Sequence, residues 1–532
     1  MTALKENCKL PSEFAEFIGH NYANSTTDKH KKIIGQFFTS KLIAHFMADL
    51  AEPKSKKISI LDPGCGTAIL SCSLIEKLAA KCDLEEIDLT LYETDLTIIN
   101  ETKKVIVFLF SWLNERNIKL NFTIIQTDFI LGNSEAFAAN SLFGFVDTKL
   151  YDYIISNPPY FKISKSDLRA TLAKELVYGQ PNIYSIFMGL SAKLLKSDGE
   201  LIFITPRSFA AGNYFKAFRS TFFNDVSISN IHIFESRNKM FKKDNVLQEN
   251  IILRATKQLN SQIKISVSEC EKGLNNPAQS IFKVESLIDF KSKDKILFIP
   301  SNKKEVSTIE IFKQWKNSLN DYNIQISTGP VVAFRCVGYL KNEGTLNDTV
   351  SPLIWLHNIK EMKLIYPLKK GNKPCFITNS EDSRKVLILN KNYIFLRRFS
   401  SKDDKSRLVC CPYFSSNIDT EMLGIENHIN YIHRPKGNLS ENEIWGLSAL
   451  FSSSLFDTYF RTFNGNTQVG ASELKQIKMP PLADIINIGC IIKEFVEPEK
   501  LDIDNVINDI LLNNPYDKNT RSTVDFERVG VA

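Results

Sequence analysis

The sequence lacks the features that would put it in a specialised class. Its 532 residues hold no Cys-x-x-Cys pair, and none of its ten cysteines stands at zinc-ligand spacing from a histidine or another cysteine. Scattered thiols exclude a disulfide-stapled fold and suit a reducing compartment. No apolar run approaches the roughly 20 residues that cross a bilayer; VIVFLFSWL at 105–113 is too short and reads as buried helix. The opening MTALKENCKLPSEF has no apolar core of a secretion signal. The expectation is a soluble, cytoplasmic protein with no membrane partner. With 22 glycines and 19 prolines the chain is too poor in both for a collagen-like or low-complexity polymer, and 43% hydrophobic residues exclude general disorder.

A chain of this length exceeds one ordinary core, so two or three domains are expected. The net charge of +6 says little, but its distribution says more. Residues 1–250 are nearly neutral, with 29 Lys and Arg against 28 Asp and Glu. Residues 251–496 carry 33 against 24, and residues 497–532 carry 4 against 8. The basic excess in the second half suits a polyanion partner, and equally a solvated surface.

The first half alternates two kinds of segment. Apolar runs at 58–64, 87–95, 120–129, 151–160 and 201–206 read as strands. Helical patterns follow at 69–82, from about 96 to 117, and at 183–200. This rhythm predicts a parallel sheet with helices on both faces and a ligand site at the carboxyl ends of the strands. It is lost after the polar stretch ATKQLNSQ at 255–262. The expected division is a catalytic domain at 1–258, an α+β domain at 259–496 and an acidic tail at 497–532.

Three acids end three successive strands. Asp62 begins the turn Asp62-Pro63-Gly64-Cys65-Gly66-Thr67, where glycines permit a tight bend and close approach of a ligand to the backbone. The third glycine of a dinucleotide fingerprint is replaced by Ile69. Glu93, about 30 residues on, is placed to accept hydrogen bonds from ribose hydroxyls, while Asp95 next to it can cap a helix. Asp128 can receive an exocyclic amine. Each acid alone also fits an exposed strand end.

The decisive motif is Ser156-Asn157-Pro158-Pro159-Tyr160 after the strand YDYII. Two prolines fix φ, remove two N–H donors and hold Asn157 away from helical geometry. At such a corner the Asn157 amide oxygen and a bare backbone carbonyl can face one amine, with the Tyr160 ring available to stack on a planar group.

Asn-Pro-Pro-Tyr together with the Asp-Pro-Gly-Cys-Gly turn resembles the S-adenosylmethionine-dependent amino-methyltransferases. The motif order narrows this to the gamma group of adenine-N6 DNA methyltransferases, the TaqI/PstI-like modification methylases of type II restriction-modification systems. GQFFTS at 35–40 is close to that family's GQFFTP, although Thr39 could also simply cap a helix. Segments 204–219, 326–335, 424–435 and 460–469 match its larger members, so the resemblance spans roughly 30–482. Ser40 for Pro and Ala68 for Gly are departures.

The resemblance implies a Rossmann-like methyltransferase domain followed by a target-recognition domain that binds double-stranded DNA. It implies S-adenosylmethionine as cofactor, held by Thr39, Asp62, Gly64, Cys65 and Gly66 at its methionine end. Glu93 would hold the ribose, and Asp128 and Phe129 the adenine. Asn157, Pro158 and Tyr160 would act on a flipped-out target adenine, with Phe241 on the other face of the base. No metal is required. Arg335, Arg397, Arg398 and Arg434 are candidates for phosphate contact. The enzyme would act as a monomer, linked to a cognate restriction endonuclease only by function. A protein glutamine-N5 or RNA methyltransferase would use the same Asn-Pro-Pro-Tyr chemistry, but the basic second half favours DNA.

Overall fold

The computed structural model describes residues 8–25, 39–137, 148–235, 249–344, 349–368, 371, 373–400, 404–465, 467–495 and 502–512. It divides into two compact units. The first comprises Met1–Ser301 with Phe463–Asn466, and the second Asn302–Thr462 with Thr467–Ala532.

The first unit is built on nine strands. Strand β1 (Lys57–Pro63) is buried after its first residue, because Ile58, Ile60 and Leu61 are apolar and Ser59 and Asp62 find hydrogen-bond partners in Asp152 and Ser71. It pairs in parallel with β2 (Glu86–Tyr92) on one side and β4 (Tyr151–Ser156) on the other. β3 (Lys119–Ile125) lies outside β2, and β5 (Leu195–Pro206) outside β4. The chain thus runs outward from β1 in one direction and restarts beside it in the other. This reversal between β1 and β4 opens a crevice at their carboxyl ends. β6 (Ser227–Phe234), β7 (Asn250–Thr256), β8 (Gln262–Ser268) and β9 (Ala278–Lys283) extend the sheet in mixed sense, in the order β3-β2-β1-β4-β5-β7-β6-β8-β9.

Helices α1 (Pro11–Ser25), α2 (Lys41–Asp49), α3 (Ile69–Lys81) and α4 (Leu96–Asn114) share one apolar core with the strands. Helices α5 (Ile183–Lys193) and α6 (Lys216–Asp225) pack on each other as a separate layer. The expected α/β architecture with a mostly parallel sheet is therefore present.

Two expectations are corrected. The helix expected over 183–200 stops at Lys193, and Lys196-Ser197-Asp198-Gly199-Glu200 belongs to β5. A Cβ on Gly199 would stand 2.9 Å from the Tyr151 carbonyl oxygen, so this glycine permits close strand packing rather than ending a helix. The expected boundary at 258/259 falls inside the first unit. Polar residues alternate along β8 and β9 is exposed along most of its length, which breaks the sequence rhythm, yet both pair onto the sheet as far as Lys283.

Among the described residues the second unit holds three small sheets, the smallest being the pair Ile359–Lys360 and Lys363–Leu364. One has four strands in the order Gln325–Thr328, Ile429–His433, Tyr393–Arg397, Cys410–Tyr413. Another has five short strands around Val350–Ile354 and Met422–Ile425. Helices α7 (Glu441–Ser452) and α8 (Leu482–Lys493) pack together, and α9 (Ile503–Leu511), from the stretch expected as acidic tail, packs on α8. Among the described residues no helix is long and apolar enough to cross a membrane.

Candidate functional site

The carboxyl ends of β1, β2 and β4 meet at one cavity of the first unit. Its wall includes Thr39, Gly64, Cys65, Gly66, Glu93, Asp128, Phe129 and Asn157. The sequence had singled out all of these. Gly64 and Gly66 have φ of +76° and +53°, which a side chain would strain. Their turn is closed by Gly64 and Cys65 donating backbone N–H groups to the Tyr92 carbonyl, both at 2.9 Å. Ala68 also lies in the left-handed region, with φ 61° and ψ 26°, immediately before α3.

Asp62 is completely buried. Its Oδ2 accepts from the Ser71 hydroxyl at 2.6 Å, while Oδ1 has no hydrogen-bond partner among the described residues. Burial pushes its carboxyl up to about 7, helped by the charge of Glu93. A buried acceptor without a donor is costly, and an ammonium group would satisfy it. Burial likewise raises the Cys65 thiol well above its ordinary range, so Cys65 lines the site as a thiol and not as a nucleophile.

The Glu93 carboxylate is fixed by three backbone donors. Oε1 accepts from Thr94 and Asp95 at 2.8 and 3.0 Å, and Oε2 from Gly66 at 3.1 Å. Burial nonetheless raises its pKa. The Gly66 bond locks the end of β2 to the glycine turn. Asp95 caps α4 through Thr97, as one reading of the sequence expected. Asp128 caps the short helix Phe129–Gly132 through Ile130 and Leu131, leaving Oδ2 at 3.3 Å from Arg169. Phe129, Tyr92 and Phe187 form an aromatic wall, with centroids 5.4 and 5.1 Å from Phe129.

At the end of β4 the Ser156 hydroxyl donates to the Pro63 carbonyl at 2.7 Å, joining the two strand ends. Asn157 Nδ2 donates to Thr39 Oγ1 at 3.1 Å. Thr39 therefore belongs to the site, while Ser40, which accepts from Ile43, caps α2. This orientation leaves Asn157 Oδ1 toward Tyr160, whose hydroxyl approaches it at 2.5 Å and the Ile204 carbonyl at 3.0 Å. Pro158 is buried and Pro159 lines the cavity. The Tyr160 ring meets Tyr184 edge-on at 6.2 Å. Phe241 lies outside the described residues.

Sequence reasoning missed Arg169. It pairs with Asp167 and reaches Asp128 across 41 residues, and nothing local marks it. Of segment 460–469, Phe463–Asn466 belongs to the first unit and meets segment 204–219 there. A Cβ on Gly465 would lie 2.9 Å from that of Arg207, whose guanidinium is buried on Glu249 at 3.0 Å. Of the four arginines expected on phosphates, three are held within the second unit. Arg434 forks onto Glu443 at 2.7 and 3.0 Å, Arg397 donates to the Ile359 carbonyl at 3.0 Å, and Arg398 donates to that of Asn427. Arg335 is exposed beside Phe334.

Residues 69–241 match the Eco57I restriction-modification methylase family. The chain is 33% identical over 492 residues to the type II methyltransferase M.BsuBI of Bacillus subtilis, covering 91% of this chain and 95% of that one. It belongs to the type II restriction-modification methyltransferases. M.PstI of Providencia stuartii is 32% identical, over 92% of this chain and 95% of the relative. The type IIL restriction-modification enzyme MmeI, solved in complex with DNA, shares the fold with a TM-score of 0.51 at 11% identity, over 88% of this chain and 71% of that one. Family membership makes this chain a DNA methyltransferase. It also accounts for the grouping of a glycine turn, Glu93, Asp128 and the Asn157 and Pro159 of Asn-Pro-Pro-Tyr around one cavity, with Asp62 buried at the start of that turn.

Proposed function

We propose that this methyltransferase transfers a methyl group from S-adenosylmethionine to the N6 amine of an adenine rotated out of duplex DNA, so protecting the site from a cognate endonuclease. The observation that carries the reading is the Asn157-Pro158-Pro159-Tyr160 corner, whose Asn157 and Pro159 line one cavity with Glu93 and Asp128; the turn beside it begins at Asp62, whose Oδ1 is buried without a donor among the described residues.

The residues present fit the cofactor. Asp62 Oδ1 would take the ammonium of its methionine end beside Thr39, Gly64, Cys65 and Gly66. Glu93 would take the ribose hydroxyls, and Asp128 and Phe129 the adenine. When bound, S-adenosylmethionine supplies an already activated methyl group. The protein then has to align and stabilise rather than provide a covalent nucleophile.

Asn157 Oδ1 and the Pro158 carbonyl accept the two N–H bonds of the target amine, and this turns the nitrogen lone pair toward the methyl group. Tyr160 has one hydroxyl proton and two acceptors in reach. When the amine takes Asn157 Oδ1, that proton keeps a partner in Ile204. Tyr160 and Phe241 stack on the base. Rotating a base out costs a few kcal/mol, which these contacts offset. The second unit, α9 included, reads the target, and the first carries the chemistry.

The test is to supply labelled S-adenosylmethionine with unmethylated duplex DNA, RNA or a glutamine-bearing protein substrate, and to identify the labelled product. The expected product is 6-methyladenine in DNA. Asn157→Ala is expected to abolish transfer while cofactor binding persists. Label in another base, in RNA or in protein refutes the proposal.

A further inference from the structure

One segment matched by the family resemblance plays no part in the site above, namely 326–335 and the turn that follows it. It leaves the strand Gln325–Thr328 through Gly329, where a Cβ would meet the Glu426 carbonyl at 2.3 Å. The backbone is then pinned on both sides, with Val331 donating to Ile425 at 3.0 Å and accepting from Asn427 at 2.9 Å. Two consecutive 3-10 turns follow, Ala333–Arg335 and Val337–Tyr339. Between them Cys336 is buried among Val331, Leu353 and Trp355, and its N–H bonds to Val332 and Ala333 at 3.1 Å. The root of this structure is therefore rigid.

Its tip has the opposite character. Phe334 is 76% exposed and Val337 68%, and a side chain on Gly338 would meet nothing within 4 Å. Arg335 is exposed, with its guanidinium 5.4 Å from the Phe334 ring. Burying either apolar side chain would stabilise the fold, yet the backbone hydrogen bonds hold both outward. Two side chains are too few for a stable protein interface. An aromatic ring with an adjacent cation, on a chain region with 33 basic against 24 acidic residues, matches a polyanion of stacked flat rings.

We propose that the Phe334–Val337 tip is a wedge that enters the base stack of the target duplex, with Phe334 on a base face, Val337 filling the opened step and Arg335 on a flanking phosphate. Apolar wedges held on a rigid root unstack a base step and lower the further work needed to extract a nucleotide. The inference rests on the reading that this enzyme methylates a base rotated out of duplex DNA.

The test uses the full chain. The methylated site is first mapped with the wild type on unmethylated genomic DNA, and duplexes carrying that site are then made either fully paired or mispaired at the target base. A stacking contact of about 1–3 kcal/mol corresponds to roughly 5- to 150-fold. Phe334→Ala is expected to lose kcat/KM on the paired duplex within that range, to recover most of it on the mispaired duplex, and to keep wild-type cofactor affinity and thermal unfolding. Phe334→Trp is expected to retain activity. Unchanged activity of Phe334→Ala on the paired duplex overturns the proposal, as does an equal loss on both duplexes. If the wild type methylates no DNA at all, the reading of the reaction has failed instead.

Discussion

Asp62→Asn separates the cost of an empty cofactor site from its use. Holding the buried carboxyl at about 7 instead of its ordinary 3.8 means that ionisation weakens the fold by about 4 kcal/mol. The sign follows from proton binding. Between those two values the folded state holds a proton that the unfolded chain has lost, so stability falls as pH rises, and it levels off above about 7. Asparagine keeps the Ser71 bond through its oxygen but points an NH2 group at the position now held by Oδ1, at a cost of about 1–3 kcal/mol. That cost does not depend on pH. The variant is therefore expected to gain on the wild type by about 2 kcal/mol between pH 5.5 and 8.5, measured by urea unfolding without cofactor. Cofactor should behave inversely. Its ammonium stabilises the ionised carboxylate, so wild-type affinity for S-adenosylmethionine should rise as pH passes 7, and the variant should bind weakly at every pH. A stability difference constant across this range would refute the account of Asp62.

Four further outcomes are expected. Thr39→Val removes the acceptor that orients the Asn157 amide, a bond of about 0.5–1.5 kcal/mol, so kcat should fall roughly 2- to 13-fold with KM for DNA little changed; unaltered kcat would show that the amide is oriented by other means. Ala68→Gly relieves a left-handed alanine worth about 1–2 kcal/mol but loses a buried methyl and chain stiffness of similar total size, so its stability should stay within about 1 kcal/mol of wild type. Ala44→Gly, buried inside α2, should by contrast lose about 2 kcal/mol in the same urea assay. Salt titration of DNA binding should give a steep log–log decline if the basic second half grips phosphates, and a flat response would count against it.

The strand-end grouping of the candidate site was legible because each of its parts is local. Asp62, Glu93, Asp128 and Asn157 each follow an apolar run at a strand end, and parallel-sheet topology then gathers strand ends in one place. Contacts made at long range were not legible. Arg169 reaches Asp128 only after the chain has traversed β4, and Glu443 neutralises Arg434 from a following helix, so an arginine that looked free for phosphate is already held. The boundary was drawn after 258 because polar Gln262, Lys264, Ser266 and Ser268 alternate with the apolar residues of β8, and the edge strand β9 is exposed along most of its length, so both sequences look like loops.

The Ser156 hydroxyl on the Pro63 carbonyl has a consequence for how the enzyme operates. That contact welds the glycine turn and the Asn-Pro-Pro-Tyr corner into one block at neighbouring strand ends, so the two are not facing jaws that close on each other. In the proposed reaction, methyl donor and acceptor amine would thus be brought to a common datum by the sheet itself, and what would travel is the nucleobase. Changes in the second unit would then alter which nucleobase arrives without disturbing the alignment it meets there.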